Sequence, residues 1–196
     1  MKRFLSVATL ILISTNNYAA NVSLVPSTTQ VNVGDNFFID IVISQLADDV
    51  LGGWDGNFIF NSNEVSLIST ALGDSVLGNQ LDLSGLGTLN ETQIHTLNGN
   101  TQAVAMLEVS YDDMATLNAA QANVFSLAQL QFTRLGAGEI IFNFDGHFSD
   151  AAGIDLRIDH SGAVTQLAPV PLPAAAWLMF SGLATVLSIA RKQCRT

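Results

Sequence analysis

From Phe37 the chain alternates between apolar and polar residues: Phe37, Ile39, Ile41 and Ile43 fall on one side, Asp40 and Ser44 on the other. Ile140, Phe142 and Phe144 alternate with Glu139, Asn143 and Asp145 in the same way. Successive side chains of an extended backbone point to opposite faces, so this period predicts strands with one buried face. Further runs rich in Val, Ile, Phe and Thr are Val22 to Val25, Trp54 to Phe60, Val65 to Thr70, Thr92 to Leu97, Ala103 to Tyr111 and Val124 to Thr133, with short ones near Ile154 to Ile158 and Ala163 to Leu167. Turn formers such as Val33-Gly34-Asp35-Asn36 and Asn98-Gly99-Asn100 separate them. The spacing predicts an all-β sandwich of about nine strands.

Two segments leave this rhythm. Leu72 to Asn90 is rich in Gly and Leu with little alternation, which predicts a long loop or a crossing connection. Asp112 to Gln121 is Ala-rich and opens on two aspartates, which suits a short helix capped and charge-stabilised at its N-terminus.

Both ends differ from the middle. Residues 1–20 carry Lys2 and Arg3, an apolar run from Phe4 to Ile13, and a polar stretch ending Tyr18-Ala19-Ala20. That is the plan of a secretory signal peptide, and an apolar run of about ten residues is too short to cross a bilayer. Signal peptidase is expected to cut after Ala20, with Tyr18 an imperfect fit to the site. At the other end the chain has no charge from Leu172 to Ala190, and Arg191, Lys192 and Arg195 follow. As a helix this stretch is about 28 Å long, just enough for a hydrocarbon core of about 30 Å. The positive-inside rule places the basic residues in the cytoplasm as a stop and the preceding domain outside.

Val170-Pro171-Leu172-Pro173-Ala174, the apolar helix at 174–190 and the basic tail resemble the PEP-CTERM class of sorting signals in its VPLPA variant. Leu172 stands where the commoner form has Glu. The resemblance covers residues 169–196 and implies processing by a membrane-embedded exosortase that cuts near Val170 to Ala174. A second resemblance spans the exported part, 21–168. Val33-Gly34-Asp35-Asn36-Phe37 leads into a strand, Leu51-Gly52-Gly53-Trp54 opens another that ends Phe60-Asn61-Ser62-Asn63-Glu64-Val65-Ser66-Leu67, and Phe125 to Phe132 precedes Ala137-Gly138. This order is similar to a cohesin-type domain, although Asn61-Ser62 stands where that family usually has Asp-Pro. It implies a jelly-roll sandwich of about nine strands and a binding role.

Charge narrows the partners. All seventeen acidic residues lie between Asn21 and Ala168, where the only basic residues are Arg134 and Arg157, an excess of fifteen negative charges. Such a surface repels phosphate backbones, so nucleic acid is not an expected partner. The single Cys is Cys194, in the basic tail, so the exported domain has neither an internal disulfide nor a catalytic thiol.

Catalytic constellations are absent from the sequence. Gly73-Asp74-Ser75 has the form of a hydrolase nucleophile block, but no His with an Asp three residues before it follows. His95, His147 and His160 lack metal-ligand spacing and read as surface residues. Calcium is the better metal candidate: Asp145, Asp150 and Asp155, with Ser149, offer hard oxygens around Gly146 and Gly153, and Asp48, Asp49 and Asp55 form a second group. Neither has an EF-hand spacing, and solvated loops are the competing reading. Trp54 and Tyr111 are the candidate ligand contacts, because the Phe residues alternate onto the apolar face. The expectation is a non-enzymatic surface or extracellular-matrix protein, with a cohesin-like binding domain, that binds another protein or a polymer. The alternative is a carbohydrate-binding module acting on exopolysaccharide.

Overall fold

The computed structural model describes residues 20–46, 49–159 and 162–169. The signal peptide up to residue 19, the sorting motif with its helix and basic tail, Asp48 and His160 lie outside the described residues. In the described chain the strands are β1 (Ala20–Pro26), β2 (Gln30–Val31), β3 (Asn36–Ser44), β4 (Gly53–Asn61), β5 (Val65–Leu72), β6 (Thr88–Asn98), β7 (Thr101–Ser110), β8 (Val124–Arg134), β9 (Ile140–Ser149), β10 (Ile158–Asp159) and β11 (Gly162–Pro169). One helix, α1 (Met114–Ala120), sits between β7 and β8. One sheet runs β10-β1-β3-β8-β5 and the other β2-β11-β9-β4-β7-β6.

The alternation read from the sequence becomes burial. Phe37, Ile39, Ile41 and Ile43 are each at most 1% exposed, and Ile140, Phe142 and Phe144 are likewise buried. Phe132 of β8 joins the two layers: its ring centroid lies 5.9 Å from Phe37 in its own sheet, and 5.8, 5.2 and 5.1 Å from Phe58, Phe60 and Phe142 in the other. Each fully buried ring of this kind contributes about 1.5–3 kcal/mol by leaving water.

Two glycines are required by close approach. A Cβ on Gly52 would lie 2.4 Å from the backbone of Ala151, and one on Gly56 would lie 2.5 Å from the Phe144 ring. Real side chains do not fit at such distances.

The expected crossing connection is residues 73–87, which carries the chain from β5 in one sheet to β6 in the other. It is shorter than the sequence suggested, because β6 already begins at Thr88. Carboxylates hold it in place. Buried Glu108 accepts hydrogen bonds from Asn79 Nδ2 at 2.5 Å and Thr88 Oγ1 at 2.9 Å. Asp112 Oδ2 accepts from the Leu83 and Ser84 N–H groups at 2.6 and 3.2 Å. Asp74 accepts from the N–H groups of Val76, Leu77 and Ser126. Asp113 caps α1 through the Thr116 N–H, as its position in the sequence predicted.

Arg134, one of the two arginines of the exported part, is buried at 1% exposure. It donates to the carbonyls of Val31, Gly136 and Gly138 and so ties β2 to the turn after β8. Among the described residues the exposed positive charge is therefore Arg157, set in an acidic surface.

Candidate functional site

The register of the second sheet decides which side chains share its outer face. Trp54, Gly56, Phe58 and Phe60 of β4 turn toward the core, so Asp55, Asn57 and Ile59 turn outward. Pairing places His147, Asp55, Leu107 and Glu91 in one row across β9, β4, β7 and β6. Asp145, Asn57, Ala105 and Gln93 form the next row, and Asn143, Ile59, Ala103 and His95 the one after. Along β7 this leaves an apolar stripe of half-buried Ala105 and Leu107 and exposed Val109, with Ala103 covered at its end, flanked mainly by polar and acidic residues on both neighbouring strands.

Three shallow depressions lie on this side. One of about 260 Å³ has Asp55, Asn57, Glu91 and Gln93 around Ala105 and Leu107. A second, about 230 Å³, lies between Leu107, Val109, His147 and Asp155. A third, about 270 Å³, is bordered by Asp145, His147, Asp155 and Leu156. On the outer face of the first sheet the polar groups bond to one another across strands, whereas on the second Gln93 donates to Glu91 within β6. Gln129 donates to Asp40, Ser69 to Gln131 and Thr133 to Asn36. Side chains already paired in this way have less to offer a partner.

Trp54 requires a correction. It is a candidate ligand contact by sequence, yet Trp54 is 2% exposed and packs with its centroid 6.2 Å from Phe144. The alternation that puts Asp55 outside puts Trp54 inside, so it is no ligand contact. Tyr111 is 59% exposed and continues the outward register one step beyond β7, beside the end of the apolar stripe.

The calcium candidates do not converge. β9 runs to Ser149, so Asp145 is an outward strand residue where a loop was expected. Asp150 Oδ1 accepts from the Ala152 and Ile154 N–H groups, each at 2.8 Å, and is taken up by its own turn. Asp145 and Asp155 border one depression, but no group of three or more Asp, Glu, His or Cys side chains able to hold a metal occurs among the described residues. In the second group, Asp55 belongs to β4 and Asp49 to the loop before it. His95 and His147 are exposed, and Gly73-Asp74-Ser75 forms a turn in which Asp74 serves as an acceptor for backbone.

Three of the acceptor carboxylates have lowered pKa values, the cap Asp113 through the Thr116 N–H and two more, Asp74 and Asp112, at the crossing connection. The Leu77 N–H, then the Ser126 N–H, hold Asp74 below the ordinary carboxylate range. Asp112 is lowered chiefly by the Ser84 side chain, against the opposing effect of burial. All three values reflect a structural duty, because hydrogen bonds to the ionised form favour it.

No protein-family model matches this sequence, and no curated protein matches it. Solved structures do match the fold. A cohesin module from a family 33 glycoside hydrolase of Clostridium perfringens is 11% identical, with a TM-score of 0.55, covering 78% of this chain and 97% of its own. A type II cohesin domain from the cellulosome of Acetivibrio cellulolyticus is 13% identical, TM-score 0.55, covering 78% and 92%. A type I cohesin in complex with a dockerin, from Clostridium thermocellum, is 8% identical, TM-score 0.53, covering 79% and 96%. The chain thus has the cohesin jelly-roll fold, as the strand order in its sequence implied.

Proposed function

We propose that this is an exported, non-enzymatic surface or extracellular-matrix protein whose cohesin-like domain binds another protein through the outer face of the second sheet. The observation that carries the reading is the stripe Ala105, Leu107 and Val109 between Asp55 and Asn57 on one side and Glu91 and Gln93 on the other. An apolar centre with a charged rim is the anatomy of a protein interface, and the acidic rim favours a partner with basic residues. Complexes of cohesins with dockerins among the similar structures support a protein ligand over a glycan. So does the burial of Trp54, since glycan platforms are built from exposed aromatics.

Delivery belongs to the same proposal. Signal peptidase removes residues 1–20, the helix at 174–190 holds the chain in the membrane with the domain outside, and an exosortase acts at Val170 to Ala174. Mass spectrometry of the mature C-terminus, in the host with and without its exosortase, tests this: an unchanged terminus refutes the processing step. Deleting residues 170–196 should release the domain from membranes, and continued retention would refute the anchor.

The partner face is tested with the full chain in its host. Leu107→Arg should lose a protein captured by the wild type, while Gln131→Arg on the opposite sheet should keep it. Equal capture by both would refute the face. Binding to the host's own polysaccharide that Leu107→Arg leaves intact would favour the glycan reading.

A further inference from the structure

β6 is an edge strand of a kind that natural sheets usually protect. It pairs with β7 on one side only, and its residues are exposed on both faces apart from a half-buried Thr88. Leu89, Ile94 and Leu97 are 53%, 60% and 54% exposed. Edges are commonly blunted by Lys, by Pro, by short strands or by bulges. β2 and β10, at the far edges of the two sheets, have two residues each, and β5 carries a bulge at Ile68 in mid-strand. β6 has eleven residues, no Lys, Arg or Pro, and a bulge only at Leu97, next to the hairpin turn. Its free row of N–H and C=O groups is a template for one more strand.

The sequence of β6 indicates which strand. Reading outward from Gln93 in both directions places Thr92 opposite Ile94, Glu91 opposite His95, Asn90 opposite Thr96, and Leu89 opposite Leu97. We propose that β6 pairs antiparallel with β6 of a second copy of this chain, about a twofold axis at Gln93, joining the two second sheets into one. Cross-strand neighbours of this kind stabilise a sheet when charge and shape match. Here each Glu91 carboxylate would receive an imidazole N–H from the other copy's His95, and exposed Leu89 and Leu97 would cover each other. A twofold interface must be self-complementary, and this one is so position by position.

The acidic surface opposes the approach of two copies. Charges beyond the Debye length of about 8 Å at physiological ionic strength are screened, and β6 itself carries one carboxylate, so the local cost is small. The pairing uses the edge of the sheet and leaves the β7 stripe open, while it shares Glu91 and Gln93 with the rim of the partner face.

Cysteine cross-linking of the exported full chain tests the register, with Cys194→Ser throughout. Directly opposite residues of antiparallel strands have Cα atoms about 4.5–5.5 Å apart, within disulfide reach. Gln93→Cys should form a disulfide-linked dimer about tenfold more abundantly than Ser66→Cys on the β5 edge, because only the first lies on the axis. When size-tagged Glu91→Cys and His95→Cys chains are produced together, they should link to each other and neither to itself. Adding Glu91→Lys should deplete the Gln93→Cys dimer, and the exchange Glu91→His with His95→Glu should restore it. Absence of the Gln93→Cys dimer, equal dimer at Ser66→Cys, or self-linking of Glu91→Cys would each overturn the proposal.

Discussion

The aromatic middle of the sandwich and the flank formed by residues 73–123 are held by different forces. In the middle, Phe37, Phe58, Phe60, Phe132 and Phe142 pack ring against ring, with no polar group needed to direct them. In the flank, side-chain acceptors are added to the packing of Leu81, Val104, Met106 and Leu117. Glu108, Asp112 and Asp74 hold the crossing connection, and Gln121 both accepts from the Leu51 N–H and donates to the carbonyls of Leu51 and Gln80. The difference follows from backbone geometry. A strand satisfies its own N–H groups through the ladder, whereas a long irregular connection must find acceptors elsewhere, and short carboxylates supply them. Acidity in this protein is therefore partly architectural.

The sharpest way to break the comparison is at its centre. Phe132→Ala should cost about 3–5 kcal/mol in urea unfolding, since it removes a ring from both layers at once. A loss below about 1 kcal/mol would show that the rings do not act as a unit. Glu108→Ala should cost less, about 1–3 kcal/mol, by leaving the Asn79 amide and the Thr88 hydroxyl without an acceptor. Its damage should be confined to residues 73–88, as hydrogen exchange would show, where Phe132→Ala should loosen both sheets.

Acid separates the regions without mutation. The folded-state pKa values of Asp74 and Asp112 are lowered, so their stabilisation is complete above the unfolded-state value of about 3.9 and is lost as pH falls through the folded-state values. Amide protection at Leu77, Leu83, Ser84 and Ser126 should fall in that range before protection at Ile39, Phe58 and Phe142. Simultaneous loss would show that the flank is not a separate unit. The smallest effect belongs to the outer face: Leu107→Arg should change stability by no more than about 0.5 kcal/mol while removing partner binding, which separates surface duty from packing.

Much of the fold was legible from alternation because burial on one face of a strand is a local rule. β3, β8 and β9 read directly, and so did the Asp113 cap of α1, since a cap involves residues only a few positions apart. The inward position of Trp54 depends on its phase in β4: one step from outward Asp55, it faces in. The start of β6 was hidden because both its faces are exposed, which removes the alternation that marks a strand. β2 was missed because two residues carry no period.

By itself, then, the sequence determined an all-β domain, its acidic charge, its capped helix and the resemblance of its ends to export and sorting signals. Each of these depends on residues close together in the chain. The tertiary structure alone decided the rest. It set the rows that bring Asp55, Leu107, Glu91 and His147 to one face, the burial of Glu108 and Arg134, and the open edge at β6. Those depend on register between strands far apart in sequence, where a shift of one residue would send every side chain to the opposite face.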